Sequence, residues 1–496
     1  MIVPRIRAPL RSKGLQLDGS EVRLNDRLAL WLLCACAWGC AGSSVETAPA
    51  SGTTPGTDPA AGAASAASAT DRGFTPSSLR ARPITTLDAH DIPRHWTRGS
   101  AHAFTWTPET SPSATVRVEA SADEGLSWTR LGETDAALGR WVWEVPSEGP
   151  TRLRFRLVRS WSAPPEELSR SVVISASHAR AYRFAQIAPT VAGVPPRDGA
   201  GAVVMNDRMW LIGGWNPLDT DAFPLTTSND VWSSSDGIAW RQDKPNSFRD
   251  YDFDPAADWA GRHTAGYAVH DGKMWIVGGD TVQGDYQMDV WSSADGAHWN
   301  RVNAAATYPA RVLHSTVSFG GSLLTIGGQD WDAAFFNDTW ASLDGITWKE
   351  RTSTTPRFSG RGVVCGSAVL GGRVWMIGGG RYDTATTPWQ AFGDVWSSSD
   401  GATWEKVGDD AAPWSPRTYH NVVVHDGRMF VIGGYSPDMG NLDDVWYSDD
   451  GENWYLLPGM GLPARHAAST WSYRGALYVG FGNTEGFNAD MWRLEL

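Results

Sequence analysis

Cysteine is scarce in this chain, 4 among 496 residues. Cys34, Cys36 and Cys40 crowd near the N-terminus and only Cys365 lies beyond it. Disulfides are therefore expected to contribute nothing to the mature fold, even in an oxidising compartment. Basic charge is also short: 42 Lys and Arg stand against 55 Asp and Glu, a net charge of −13. No long basic run follows the N-terminal region, which excludes nucleic acid as an expected partner. The apolar stretch at 28–37 is too short to cross a bilayer. It follows Arg5, Arg7, Arg11, Lys13, Arg23 and Arg27, the arrangement of a secretory signal.

What the chain has in quantity is glycine, 53 residues, and tryptophan, 28 residues, and both recur in register. Six copies of one unit begin at Arg197, Arg262, Arg311, Arg361, Arg417 and Arg465. Each runs from Arg through an apolar stretch, a polar turn and a second apolar stretch to a glycine pair, then a loop and Asp-x-Trp. The pairs are Gly213-Gly214, Gly278-Gly279, Gly327-Gly328, Gly378-Gly379 and Gly433-Gly434, with Gly480-Phe481-Gly482 as a degenerate sixth. The Asp-x-Trp tryptophans are Trp232, Trp291, Trp340, Trp396, Trp446 and Trp492; Trp240, Trp299, Trp348, Trp404 and Trp454 follow in the first five copies. A period of about 50 residues with strand-like spacing inside it predicts a propeller or solenoid of small sheets.

This pattern resembles the Kelch repeat across residues 197–496. The resemblance implies an all-β fold, a six-bladed Kelch-type β-propeller over 182–496 with four strands per blade around a channel. The sixth copy stops before its fourth strand, and an open sheet edge is a liability. The alternating segment 182–187 is expected to supply that strand by pairing with 491–496. Turns such as 233–240 (SSSDGIAW) resemble a shortened Asp-box of sialidase propellers. Their Asp-Gly pairs are expected to form two-residue hairpin turns with both residues at positive φ.

Upstream, residues 82–177 carry strand-like runs at short spacing, the size of a small β-sandwich resembling immunoglobulin or fibronectin III modules. Residues 121–128 within it match the full Asp-box spacing. Residues 1–40 resemble a bacterial lipoprotein signal peptide, with Cys40 as the lipidated residue and Cys36 as the alternative. Residues 41–81 read as a flexible low-complexity tether. The expected address is the bacterial outer membrane or cell surface, held through the lipid anchor alone.

Loops between second and third strands, and those joining copies, emerge on one propeller face and vary in length and sequence, so binding is expected there. The candidate ligand-binding residues are the six arginines with Trp331, His314, His420, Tyr382 and Glu485. The arginines could form a carboxylate-binding ring, as sialidases have. Yet each copy also repeats an Asp (Asp230, Asp289, Asp338, Asp394, Asp444, Asp490), so an architectural Arg–Asp pair is the other reading. Aromatics three residues before the arginine (Trp259, Tyr308, Phe358, Trp414) could likewise wedge between blades. Cys365 sits where other copies have a small residue. It does not reproduce the cysteine–tyrosine crosslink and histidine ligands of Kelch-type copper oxidases. Asp250, Asp252 and Asp254 lack the glycine and glutamate of an EF-hand loop. No cofactor or metal is expected. The function these features predict is a lipid-anchored envelope protein presenting one face to a protein or glycan ligand. The alternative is a propeller enzyme acting on sugars, like sialidases or sialic acid mutarotases.

Overall fold

The computed structural model describes residues 95–495, apart from 112, 124, 162–164, 168–171, 176–181, 218–224, 282–284, 331, 333, 353–356, 363–365, 383–387, 408–411 and 458–459. The expected signal segment, Cys40, the expected tether, Cys365 and Trp331 lie outside the described residues.

Each of the first five arginine copies folds as one four-stranded antiparallel sheet. In the first the strands are Gly201–Met205, Arg208–Trp215, Thr227–Ser234 and Trp240–Lys244. The second strand is buried almost throughout, as in Ser322–Ile326, where all five residues are buried. That is why it reads as an unbroken apolar run rather than an alternation. The sixth sheet is completed from the other end of the domain. Arg183–Ala188 pairs antiparallel with Met491–Glu495, with Phe184 opposite Leu494 and Gln186 opposite Trp492. Innermost strands of consecutive sheets are neighbours, and Ser469–Tyr473 of the sixth lies beside Gly201–Met205 of the first, so the six sheets close into a ring.

The glycine pairs explain how adjacent blades are joined. A Cβ on Gly213 would lie 2.9 Å from the carbonyl oxygen of Arg262, in the next copy. The amide of Gly214 donates to that same carbonyl at 3.0 Å. The bond recurs from Gly279 to Arg311, Gly328 to Arg361, Gly379 to Arg417 and Gly434 to Arg465, and Gly482 closes the circle to Arg197 at 2.9 Å. In the sixth copy Phe481, at φ 59°, takes the place of the first glycine.

The hairpin expectation needs correcting. Turns with two positive-φ residues join the first and second strands: Asn206-Asp207, Asp271-Gly272, Gly320-Gly321, Gly371-Gly372, Asp426-Gly427 and Arg474-Gly475. In the third-to-fourth turns only the glycine is left-handed, as at Gly237. There the aspartate scaffolds the loop with its side chain. Asp236 Oδ1 accepts from the amides of Ile238 and Ala239 (2.8 and 2.9 Å), and Ser234 Oγ accepts from Gly237 at 2.9 Å. Side-chain capping replaces the φ requirement of the two-residue turn.

The upstream module shows two sheets around one core. Strand Ala101–Thr105 pairs with Arg140–Glu144, while Thr115–Ser121 and Arg152–Arg159 lie in the larger sheet. Trp96, Phe104, Val118 and Phe155 are among the buried residues of that core. The module touches the fifth blade: the Ala101 amide donates to the Trp454 carbonyl at 2.7 Å. Arg140 also donates to the carbonyls of Trp414 and Ala412, both at 2.8 Å.

Candidate functional site

The six arginines are buried, and all six make the same bonds. In Arg361, Nε donates to the Ser359 carbonyl at 3.0 Å and Nη1 to the Gly378 carbonyl at 2.7 Å. Nη1 and Nη2 then clasp Asp394 at 2.6 and 2.9 Å. The equivalent pairs are Arg197–Asp230, Arg262–Asp289, Arg311–Asp338, Arg417–Asp444 and Arg465–Asp490. The second carboxylate oxygen also accepts from the indole of the Asp-x-Trp tryptophan, at 2.8 Å from Trp396 and 2.7 Å from Trp492. Burial alone would push Asp230, Asp394 and Asp444 up, but the guanidinium outweighs it and holds each carboxyl below its ordinary range. The ligand-binding expectation for Arg197, Arg262, Arg311, Arg361, Arg417 and Arg465 is thus overturned. Their donors are satisfied inside the blade, and no ligand carboxylate could reach them without displacing an aspartate.

His314 and His420 are corrected in the same way. They are 4% and 2% exposed, and Nε2 of each bonds a carbonyl of the preceding blade, Val277 at 3.0 Å and Ile377 at 2.9 Å. Their rings fill space left by Gly266 and Gly278, and by Gly366 and Gly378. Burial, first, and the nearby arginine depress both to about 3, so they are neutral wedges between blades. Trp259, Tyr308, Phe358 and Trp414 are buried as well, each edge-on to the second tryptophan of its copy, with ring centroids 4.5–5.7 Å apart. Glu485 is exposed, in the turn after Gly482. Tyr382 is half-buried and belongs to the site described next. Among the described residues no group of three His, Cys, Asp or Glu side chains could hold a metal ion.

Immediately beyond the arginines the copies diverge. The second residue after each arginine is left-handed wherever described: Gly199, Thr264, Leu313, Tyr419 and Ala467, with φ of 57, 52, 55, 55 and 51°. Four of these are not glycine, and such backbone costs on the order of 1–3 kcal/mol unless its surroundings enforce it. Here a chain of hydrogen bonds does so. Thr264 donates to Gly199, Leu313 to Thr264, Ala467 to Tyr419 and Gly199 to Ala467, at 3.1, 3.1, 2.8 and 3.4 Å. One residue from each of these blades therefore forms a collar where the channel opens on the long-loop face.

Half-buried aromatics stand around the collar. Trp215 stacks on His263 (5.4 Å, 26°) and meets Phe487 edge-on at 5.6 Å. Trp389 stacks on Tyr435 (5.3 Å, 9°), which adjoins His466 at 5.8 Å. Tyr286, Tyr382 and Tyr419 pack against Val312 and Leu313.

The mouth is chemically lopsided. The residue directly after the arginine is His466, Asp198 and His263 in copies six, one and two, but Val312, Gly362 and Thr418 in copies three to five. Asp198 is buried and its carboxyl has no hydrogen-bond partner among the described residues; burial raises it to about 8. Burial lowers His263 and His466 to about 4. His466 Nδ1 bonds Asn441 Oδ1 at 2.6 Å, whereas His263 Nδ1 is buried without a well-formed bond. Near neutral pH this arc carries a protonated carboxyl and two uncharged imidazoles, which offer both donors and acceptors. Sequence reasoning missed Asp198, His263, His466, Trp215 and Tyr435. The available signal was the concentration of titratable residues at one repeat position in three consecutive copies.

Comparison with known families gives two matches. A family model described as the DUF6242 beta propeller domain matches residues 264–392, and one described as the Kelch motif matches residues 416–461. None of the curated proteins matches the chain.

Proposed function

We propose that this Kelch-type β-propeller is a binding protein whose recognition surface is the aromatic mouth of its channel. Kelch and β-propeller domains commonly mediate protein binding, and a protein or a glycan is the ligand class that suits this face. The observation that carries the reading is the divergence just beyond the arginines: a buried framework repeated six times ends in a collar whose side chains differ from copy to copy. Half-exposed aromatics beside buried polar atoms on a rigid scaffold are what binding sites require. The sialidase-like alternative loses its main support, because each repeat arginine already holds an aspartate.

The proposed address is the bacterial envelope, with Cys40 as the lipid attachment point and the module ahead of the propeller, resembling immunoglobulin or fibronectin III folds, serving as a spacer. Metabolic palmitate labelling tests the anchor: Cys40→Ser should abolish it, and labelling lost only on Cys36→Ser would move the site. For the mouth, the purified protein is screened on glycan and peptide arrays beside two variants. Tyr435→Ala at the mouth should lose the ligands that the unaltered protein retains, while Asp236→Ala, in a turn at the opposite end of the blade, should keep them. The reverse pattern would contradict the assignment.

A further inference from the structure

We propose that Trp215 with the arc His466–Asp198–His263 forms a subsite for a neutral sugar unit, an uncharged polyhydroxylated ring at the end of a glycan. The inference rests on the mouth being the recognition surface and names its ligand chemistry.

Four observations converge. The first is a fixed apolar platform. The indole of Trp215 is half-buried, backed by His263 and Phe487, and held by its Nε1, which donates to Thr226 Oγ1 at 2.9 Å. A rigid amphipathic ring of this kind suits the apolar face of a pyranose. The second is juxtaposition. Asp198 and Trp215 exchange backbone hydrogen bonds at 3.0 Å in both directions. A Cβ on Gly199 would lie 3.3 Å from the His263 Cβ, so Asp198, His263 and Trp215 are neighbours at one corner of the mouth.

The third is hydrogen-bonding capacity left unused by the protein. His263 Nδ1 is buried without a well-formed bond, its imidazole facing only the Asp280 backbone, and the Asp198 carboxyl makes no hydrogen bond among the described residues. An unmatched buried polar atom is destabilising, and ligand hydroxyls would offset that cost. The fourth is charge. The six repeat guanidiniums are neutralised by aspartates within the blades, and the arc itself contains a carboxyl group, so an anionic sugar has no cation from the repeat to meet. Gly199 and Thr264, which follow Asp198 and His263 in the chain, are joined in the backbone collar, which favours a chain end over a threaded strand.

Isothermal titration of the full chain with maltose, cellobiose, lactose and chitobiose, and with sialyllactose as the anionic control, decides the matter. At least one neutral disaccharide should bind, and sialyllactose should bind no tighter than lactose. Trp215→Ala should weaken the neutral ligand about tenfold or more. Asp198→Asn keeps a donor and an acceptor, so it should retain binding, whereas Asp198→Leu should lose it. Circular dichroism melts show that each variant is folded. Preference for sialyllactose, or no neutral sugar bound, overturns the proposal. If a peptide then binds in a Trp215-dependent manner, the sugar assignment fails while the mouth stands. Sugar binding indifferent to both Trp215 and Asp198 would remove the subsite and count against the mouth as well.

Discussion

At the repeat arginine all six copies of this chain agree; at the very next position five different residues occur, and only histidine appears twice. The two positions are adjacent in sequence, yet one faces into the blade and the other belongs to the mouth. The arginine satisfies two backbone carbonyls and an aspartate in every blade, the second carbonyl coming from glycine in five copies and from Phe481 in the sixth, so any departure would leave a buried charge unpaired. The following residue meets no such repeated demand. The comparison teaches where to look in a repeat protein: what recurs builds the ring, and what breaks the recurrence on one face is available to a ligand.

The strongest way to break this comparison is to remove one arginine. Arg361→Ala leaves Asp394 buried with only the Trp396 indole and should cost about 3–5 kcal/mol in denaturant unfolding. Trp215→Ala, at the half-exposed mouth, should cost only about 1 kcal/mol. An Arg361→Ala variant as stable as the parent would refute the architectural assignment.

Glycines sharpen the contrast at a smaller scale. A methyl group on Gly266 would sit 1.9 Å from Thr316 Oγ1 and 2.8 Å from His314 Nε2, so Gly266→Ala should cost about 1–3 kcal/mol through overpacking between blades. Gly486, in the loop near the mouth, has nothing within 4 Å of such a methyl group. Gly486→Ala should change unfolding by no more than about 0.5 kcal/mol.

The buried titratable groups should give pH slopes of opposite sign. His314 and His420 drop from an ordinary 6.5 to about 3 in the folded protein. The unfolded chain therefore binds more protons between about 3 and 6.5, and stability falls as pH falls through that window. The buried aspartates held below their ordinary range add to acid lability. Asp198 runs the other way: it rises from 3.8 to about 8, so the folded state holds the extra proton and stability falls as pH rises from about 4 to 8. Above about pH 6.5, Asp198→Asn should remove the fall in stability with rising pH, whereas below about pH 4 a His314→Asn, His420→Asn pair should flatten the acid limb; between these windows the two effects oppose each other.

The ring was legible in the sequence because its demands are periodic. The arginines, glycine pairs and Asp-x-Trp tryptophans announce themselves by spacing, and the truncated sixth copy points to a strand from elsewhere. The turns were misread because one dipeptide serves two geometries. Asp271-Gly272 places both residues at positive φ, while at Asp236-Gly237 only the glycine is left-handed. Local sequence does not say which side-chain bonds will form. The arginines remained ambiguous because their partners lie 25 to 33 residues away, and a charged pair reads alike whether buried or open. The mouth was least legible, since it is assembled from single residues of different copies. Thr264, Leu313 and Ala467 give no hint of left-handed backbone until neighbouring blades bring their amides and carbonyls together.

The central claim, that the arginines hold the ring while recognition lies one step beyond them, is tested most directly by unfolding free energies for Arg→Ala in each of the six copies. Each variant is also titrated with whatever ligand the parent binds. The account predicts a comparable loss of stability in all six, with ligand affinity preserved in the molecules that remain folded. Two or three variants that keep parental stability but lose the ligand would show that those arginines, and not the mouth, are the site.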